Sequence, residues 1–201
     1  GGKGITGIAT REEDFVKEIF TCSTHDTILF FSNKGKVYRL RGYEIPEAGR
    51  TAKGTAIVNL LMLDGGEKIS AVIPIATFAD GKYLLMATRN GIIKKTALNE
   101  YMSVRKSGLI GITLKDEDEL IDVRLTDGED NVVLVTHKGM CITFDEKDVR
   151  PMGRVSQGVI GIRLDEDDYV IGMESIIQGS KATLLAITEN GFGKRTELDE
   201  Y

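Results

Sequence analysis

Apolar residues in this chain fall into short runs, and the length of these runs predicts β-strands. From Phe15 to Cys22 apolar and polar residues alternate, which is typical of a strand with one face in the core and one face in water. Other runs are continuously apolar, which predicts strands buried on both faces. These are Tyr83–Met86, Val132–Val135 and Leu184–Ile187. Further strands are predicted at Thr27–Phe31 and Lys36–Leu40, so we expect an almost all-β chain with very little helix.

Four short turn sequences separate pairs of these strands. The first, Ser32-Asn33-Lys34-Gly35, lies between two strand patterns, and similar tetrapeptides return three more times. Asn-Gly and its close variants between two strands are a strong signal for a β-hairpin. We predict hairpin turns at Asn33–Gly35, Arg89–Gly91, His137–Gly139 and Glu189–Gly191.

The chain also repeats itself with a period of about 50 residues. A glycine-rich hexapeptide puts Gly4, Gly54, Gly108 and Gly158 in register, at steps of 50, 54 and 50 residues. Each unit reads as four short strands, which is typical of radial β-repeat folds whose blades gain a core only when neighbours stack on them. We predict one propeller-like domain with about four blades and repeats at approximately 1–49, 50–104, 105–153 and 154–201. Because the last repeat stops short, we expect a domain cut from a longer protein.

Composition excludes several classes of function. Cys22 and Cys141 form no C-x-x-C pair and no disulfide framework, so we expect no zinc site and a reduced, cytoplasmic setting. No apolar run approaches the roughly 18 residues of a membrane span, and no charged n-region with an apolar h-region stands at the start, so we expect neither a membrane span nor a signal peptide. His25 and His137 occupy different turns of the repeat, which argues against a metal site. No nucleophile has a base beside it and no Walker motif is present, so we expect neither catalytic residues nor a cofactor.

Charge placement says more than the net charge of −5. Basic residues gather on the hairpins and on the connections into the next glycine-rich copy, whereas acidic clusters such as Asp116–Glu119 and Asp165–Asp168 fall on another turn. We expect the two signs of charge to lie on opposite sides of each blade, which would give an acidic protein a basic rim. Duplex DNA that is bound without sequence reading needs such a surface. Glycines beside the cations predict, in addition, a backbone that an anion approaches closely.

The first residues carry a resemblance to a known family. Gly1-Gly2-Lys3-Gly4 resembles the latter part of the Q-R-R-G-G-K-G box of the C-terminal domain of DNA gyrase A, and the repeat pattern of that domain covers the whole chain. The resemblance implies a β-pinwheel of six blades, which exchange strands with their neighbours and whose rim wraps double-stranded DNA for negative supercoiling. It also implies that ATP hydrolysis and DNA cleavage belong to the remaining domains of gyrase A and to gyrase B. The related domain of topoisomerase IV shares the repeat and is the nearest alternative.

Two classes of function therefore remain open, a DNA-wrapping domain without a catalytic centre and a propeller-like platform for protein partners. For the first, the candidate DNA-binding residues are those of the box and the basic residues of the hairpins and connections. They are Gly1, Gly2, Lys3, Gly4, Lys34, Lys36, Arg39, Arg41, Arg50, Lys53, Arg89, Lys94, Lys95, Arg105, Lys106 and Arg154.

Overall fold

The computed structural model describes residues 24–45 and 59–177, together with the backbone of two later strands, Thr183–Ile187 and Gly193–Glu197. The described part of the chain contains strands and three short 3-10 helices, Gly42–Glu44, Leu98–Tyr101 and Glu146–Asp148, and no α-helix. The predicted all-β class is confirmed. Among the described residues no helix has the length and apolar character needed to cross a membrane.

Thirteen strands are described, in chain order. They are β1 Thr27–Ser32, β2 Lys36–Arg41, β3 Ile69–Ile75, β4 Tyr83–Thr88, β5 Ile92–Ala97, β6 Leu109–Ile110, β7 Leu120–Thr126, β8 Asp130–Thr136, β9 Cys141–Asp145, β10 Val159–Ile160, β11 Val170–Ile177, β12 Thr183–Ile187 and β13 Gly193–Glu197.

The predicted hairpins are confirmed in three repeats. β1 pairs with β2, β4 with β5 and β8 with β9, all antiparallel, and the predicted turn residues connect each pair. β12 and β13 also pair antiparallel, from Ile187 with Gly193 outward, but the turn predicted at Glu189–Gly191 lies outside the described residues.

Each complete sheet takes strands from three successive repeats. The first sheet has the order β3-β1-β2-β6 and the second the order β10-β5-β4-β7. A hairpin thus receives one partner strand from the next repeat and a second, short one from the repeat after that. The four strands read within one repeat therefore do not form one sheet, whereas the strand exchange that the resemblance implies is present. The third sheet, β11-β8-β9, follows the same order.

The sheets stack face to face, and their central strands are buried on both sides. Leu84 and Met86 contact the first sheet, whereas Leu85 and Ala87 of the same strand contact the third. The predicted two-sided burial is therefore confirmed for Tyr83–Met86, apart from the half-buried Tyr83. For Leu184–Ile187 the prediction concerns side chains outside the described residues.

One edge of each sheet faces its neighbours and the other faces outward. Ser70 Oγ of β3 donates to the Leu120 carbonyl of β7 (2.8 Å), and Arg124 of β7 donates through Nη2 to the Met173 carbonyl of β11 (3.1 Å). These strands therefore lie side by side at the converging edges of the blades. The short strands β6 and β10 lie at the opposite, outer edges.

Candidate nucleic-acid interface

Two acid-free basic segments lead into the outer edge strands. We name residues 102–110 the first rim segment and residues 150–160 the second rim segment. The first contains Arg105 and Lys106, the second contains Arg150 and Arg154, and neither contains Asp or Glu. Arg105 and Arg150 are exposed to solvent.

The two rim segments are held against each other. The guanidinium of Arg154 donates through Nη1 to the carbonyl of Ile110. Just after the first segment, Thr113 donates its hydroxyl to the Val155 carbonyl (2.6 Å) and its amide to the Ser156 carbonyl (3.2 Å). The cations of two successive repeats therefore share one continuous outer surface.

In two repeats an acidic residue in the short 3-10 helix after the hairpin contacts a rim segment. Glu44 forms an ion pair with Lys106 and accepts the amide of Arg41 (2.9 Å). Partial burial opposes ionisation of Glu44, but the hydrogen bonds from Lys106 and Arg41 lower its pKa. One repeat later, Glu100 accepts the amide of Arg154 (2.9 Å). Sequence reasoning missed this role, although the common offset of Glu44 and Glu100 from their hairpin glycines was visible.

The prediction that acidic turns lie opposite the hairpins is wrong. Lys36 pairs with Asp64 (3.0 Å), and this hydrogen bond raises the pKa of Lys36. Lys34 Nζ donates to the carbonyl of Gly65 (3.1 Å) in the same acidic turn. The cause is the sheet register, because the strand after each acidic turn runs antiparallel to the first hairpin strand and begins beside its end.

The same register recurs in the other two sheets. Thr88 pairs with Leu120, and Thr136 pairs with Val170, so the start of the incoming strand always lies beside the hairpin turn. Lys138 Nζ accordingly donates to the Glu166 carbonyl (2.8 Å). Basic residues at the hairpin ends are thus offset by acidic turns. In the rim segments Glu44 pairs with Lys106, whereas Arg105 and Arg150 are exposed cations in segments that contain no acidic residue.

Lys94 and Lys95 do not lie on the surface, where the sequence placed them. Lys94 is 0% exposed and Lys95 is 4% exposed. They point to opposite faces of β5, and each face is covered by a neighbouring sheet. Lys94 Nζ donates to the carbonyls of Gly111 (2.7 Å) and Arg154, and burial lowers its pKa to about 7. Neither lysine can reach a phosphate in this arrangement.

The remaining arginines of the hairpins make contacts within the protein. Arg41 donates to the Thr27 hydroxyl (2.8 Å), and Arg39 is half-buried with no hydrogen-bond partner for its Nε. The guanidinium of Arg89 lies 3.7 Å above the centre of the Tyr169 ring, which also stacks on His137. Each of these three arginines is partly buried, whereas Arg105 and Arg150 of the rim segments are exposed.

The box residues Gly1, Gly2, Lys3 and Gly4, and the connection residues Arg50 and Lys53, lie outside the described residues.

The first glycines of the third and fourth copies of the glycine-rich hexapeptide, Gly108 and Gly158, serve packing within the chain. Gly108 has a φ of +92°, and a Cβ built on it would lie 2.6 Å from Cε1 of Tyr38. A Cβ on Gly158 would lie 2.5 Å from the carbonyl oxygen of Ile93. Glycine thus lets the edge strand approach the hairpin, and in these two copies the space that we expected an anion to use is filled by the chain itself.

Comparison with known proteins places this architecture in one family. A family model described as "DNA gyrase C-terminal domain, beta-propeller" matches residues 1–23, 26–76, 82–127, 130–177 and 182–201. The whole chain is 55% identical to DNA gyrase A of Clostridium acetobutylicum and 45% identical to that of Staphylococcus epidermidis. It covers 24% and 23% of those proteins, so it spans about a quarter of their length.

Two solved structures match this fold. The crystal structure of the C-terminal domain of DNA topoisomerase IV matches with a TM-score of 0.77 at 37% identity, over 89% of this chain and 55% of that one. The structure of a DNA gyrase A C-terminal domain matches with a TM-score of 0.71 at 30% identity, over 88% of this chain and 56% of that one. From its fold, its repeats and these relatives, the chain belongs to the family of C-terminal β-propeller domains of DNA gyrase A.

Proposed function

We propose that this chain is a non-catalytic domain that bends duplex DNA along its outer rim, in support of negative supercoiling by DNA gyrase. The observation that carries the proposal is the pair of rim segments, which lie side by side at the outer edges of adjacent blades. Together they contain Arg105, Lys106, Arg150 and Arg154 and no acidic residue, and Arg105 and Arg150 are exposed. Cations in such a row can neutralise successive phosphates without reading bases.

The radial stacking of the sheets supplies the curvature. Since each rim segment belongs to a different blade, DNA that contacts both must follow the turn from one blade to the next. Bending duplex DNA costs roughly 1 to 6 kcal/mol over 20 to 30 base pairs, and additional phosphate contacts can offset that cost. The strand exchange supports this role, because it fixes each rim segment to a hairpin two repeats earlier.

The partners follow from the same proposal. DNA cleavage and ATP hydrolysis would belong to the remaining domains of gyrase A and to gyrase B, which act on the DNA that this domain bends. Such a domain would work in the bacterial cytoplasm. A role in topoisomerase IV is the second candidate, favoured by the match to the C-terminal domain of that enzyme. The 55% identity over the whole chain to DNA gyrase A of Clostridium acetobutylicum favours the first.

A salt titration of duplex binding tests the proposal. The logarithm of the binding constant should fall linearly with the logarithm of salt concentration, with a slope of about −0.9 for each phosphate neutralised. Arg105→Glu should reduce the magnitude of that slope. Lys138→Glu, a matched charge reversal at a hairpin end, should change it far less, because Lys138 already contacts an acidic turn. If the two variants are equal, the rim segments are not the DNA path.

Closure of nicked plasmid by a ligase separates wrapping from binding. A wrapped duplex keeps a change in linking number after the protein is removed, whereas a duplex that is merely bound does not. We expect the chain to shift the topoisomer distribution and Arg105→Glu to reduce the shift. Salt-dependent binding with no topoisomer shift would contradict wrapping and leave only non-specific adhesion.

A further inference from the structure

The buried ammonium of Lys94 touches both rim segments or their immediate continuation. It donates to the carbonyl of Arg154 in the second rim segment and to the carbonyl of Gly111, directly after the first. We propose that Lys94 is a positioning residue for DNA binding, which holds the two rim segments in the arrangement that presents their arginines to the phosphates. The inference rests on the proposed function and goes beyond it, since Lys94 itself touches no DNA.

The contacts around Lys94 form one connected network. The carbonyl of Gly111 also accepts the hydroxyl of Tyr101 (3.0 Å). Arg154 donates its amide to Glu100 (2.9 Å) and its guanidinium to the carbonyl of Ile110. Glu100 and Arg154 are the charged groups that act on Lys94, with opposite signs. A single ammonium thereby links β5, the chain after β6 and the second rim segment.

The fold itself does not need a lysine here. In the pairing of each hairpin, Lys94 faces Met86, and the equivalent residues of the flanking repeats are Tyr38 and Ile142. Apolar or aromatic side chains therefore serve the same place in the sheet. A buried ammonium costs free energy relative to an apolar side chain of similar size, and the lowered pKa of Lys94 is a sign of that cost. We infer that the contacts of the ammonium with the rim segments offset this cost.

Lys95 provides a matched control. It is the neighbouring residue, it is also buried, and its Nζ donates to the Glu146 carbonyl (3.2 Å) on the opposite face of β5. Its side chain also lies over the Tyr83 ring. Its backbone contacts the second rim segment, through a hydrogen bond from the amide of Met152 (2.8 Å) and a bridge to Pro151, and a substitution keeps that backbone. Lys94→Met and Lys95→Met thus remove the same charge from adjacent positions, and only the first removes a side-chain contact to the rim.

Amide hydrogen exchange of the full chain without DNA is the first arm of the test. We expect Lys94→Met to speed exchange at the amides of Arg154 and Thr113 by about tenfold or more, the scale of losing a hydrogen bond to a charged group. Lys95→Met should leave both amides as in the wild type. Unchanged exchange in Lys94→Met, or an equal increase in Lys95→Met, overturns the inference.

The second arm is the salt titration of duplex binding. Lys94→Met should weaken binding and lower the magnitude of the salt slope by about 0.9 or more, which is one lost phosphate contact. Lys95→Met should keep the wild-type slope. A steep wild-type slope that Lys94→Met leaves unchanged overturns the inference while the proposed function stands. A flat wild-type slope overturns the proposed function, and the positioning role falls with it.

Glu100 keeps the inference testable if Lys94→Met does not fold. Glu100 is exposed, and both Glu100→Ala and Glu100→Gln remove its charge, but only the Gln variant keeps an oxygen that can accept the Arg154 amide. We expect faster exchange at Arg154 and a smaller salt slope in Glu100→Ala than in Glu100→Gln. Identical behaviour of the two would show that the network does not position the rim.

Discussion

Gly108 is the position where one added methyl group should most clearly reveal the strand exchange. In Gly108→Ala the new Cβ would lie 2.6 Å from Cε1 of Tyr38. The ring cannot easily move away, because Tyr38 is fully buried and its hydroxyl donates to Glu67 (2.7 Å). The φ of +92° adds strain for any side chain. Edge strand β6 must therefore shift away from β2, or the ring must.

The two costs can be separated with a second glycine. Gly139 has nearly the same φ, +91°, but nothing lies within 4 Å of a Cβ built on it. Left-handed strain should cost each Ala variant about 1 to 2 kcal/mol. Overpacking should cost Gly108→Ala a further 1 to 3 kcal/mol or so. The entropy that alanine removes from the unfolded chain is common to both variants and cancels in the difference.

The assay is unfolding by urea and by heat for the wild type and both variants. We expect Gly108→Ala to lose about 2 kcal/mol more free energy of unfolding than Gly139→Ala. At roughly 2 to 4 °C per kcal/mol for a chain of this size, the gap in Tm should be about 4 to 8 °C. Equal losses would refute the reasoning, because they would mean that β6 does not pack tightly against Tyr38.

Three further predictions concern charge and packing. Burial lowers the pKa of Lys94 from 10.5 to about 7 in the folded chain, so between these values the unfolded chain binds more protons than the folded one. The free energy of unfolding should therefore rise as pH increases from 7 toward 10. Lys94→Met should abolish that rise in urea titrations at several pH values. Burial raises the pKa of Asp122 from 3.8 to about 6, so stability should fall by at most about 3 kcal/mol as pH rises through 4 to 6, and the same titrations on Asp122→Asn should show a flatter profile. Leu134→Ala should cost about 2 to 5 kcal/mol because Leu134 is fully buried between sheets, whereas Leu125→Ala, at an exposed position, should stay within about 0.5 kcal/mol in chemical denaturation.

The hairpins could be predicted from sequence because their signals are local. Alternation, continuous apolar runs and turn residues act within about ten residues, and three hairpins lie where these patterns put them. The partners of each hairpin could not be predicted in the same way. No local pattern around Lys36 predicts that it pairs with Ile110. The register of β3 beside β1, which places the acidic turn at the end of the hairpin, is likewise a long-range feature.

The burial of Lys94 and Lys95 is a second feature that the sequence pattern did not predict. Charged residues in a strand usually mark the solvated face, so the sequence pattern places Lys94 and Lys95 on the surface. In this fold both faces of β5 are covered by neighbouring sheets, and the side chains reach carbonyl groups at the edges of those sheets. Comparison within the chain did offer a signal, since Tyr38 and Ile142 occupy the place of Lys94 in the flanking repeats.

Strand exchange across three repeats also sets the timing of folding during synthesis. The hairpin of β1 and β2 ends at Arg41, but β6, the strand that pairs with the outer edge of β2 at Lys36 and Val37, is made only about 70 residues later. At 5 to 20 residues per second, a ribosome leaves that edge open for roughly 4 to 14 s. An uncovered edge strand invites pairing with other nascent chains, and charged side chains oppose such pairing. Lys36, at the part of β2 that β6 later covers, would thus protect this edge during the interval in which its partner does not yet exist.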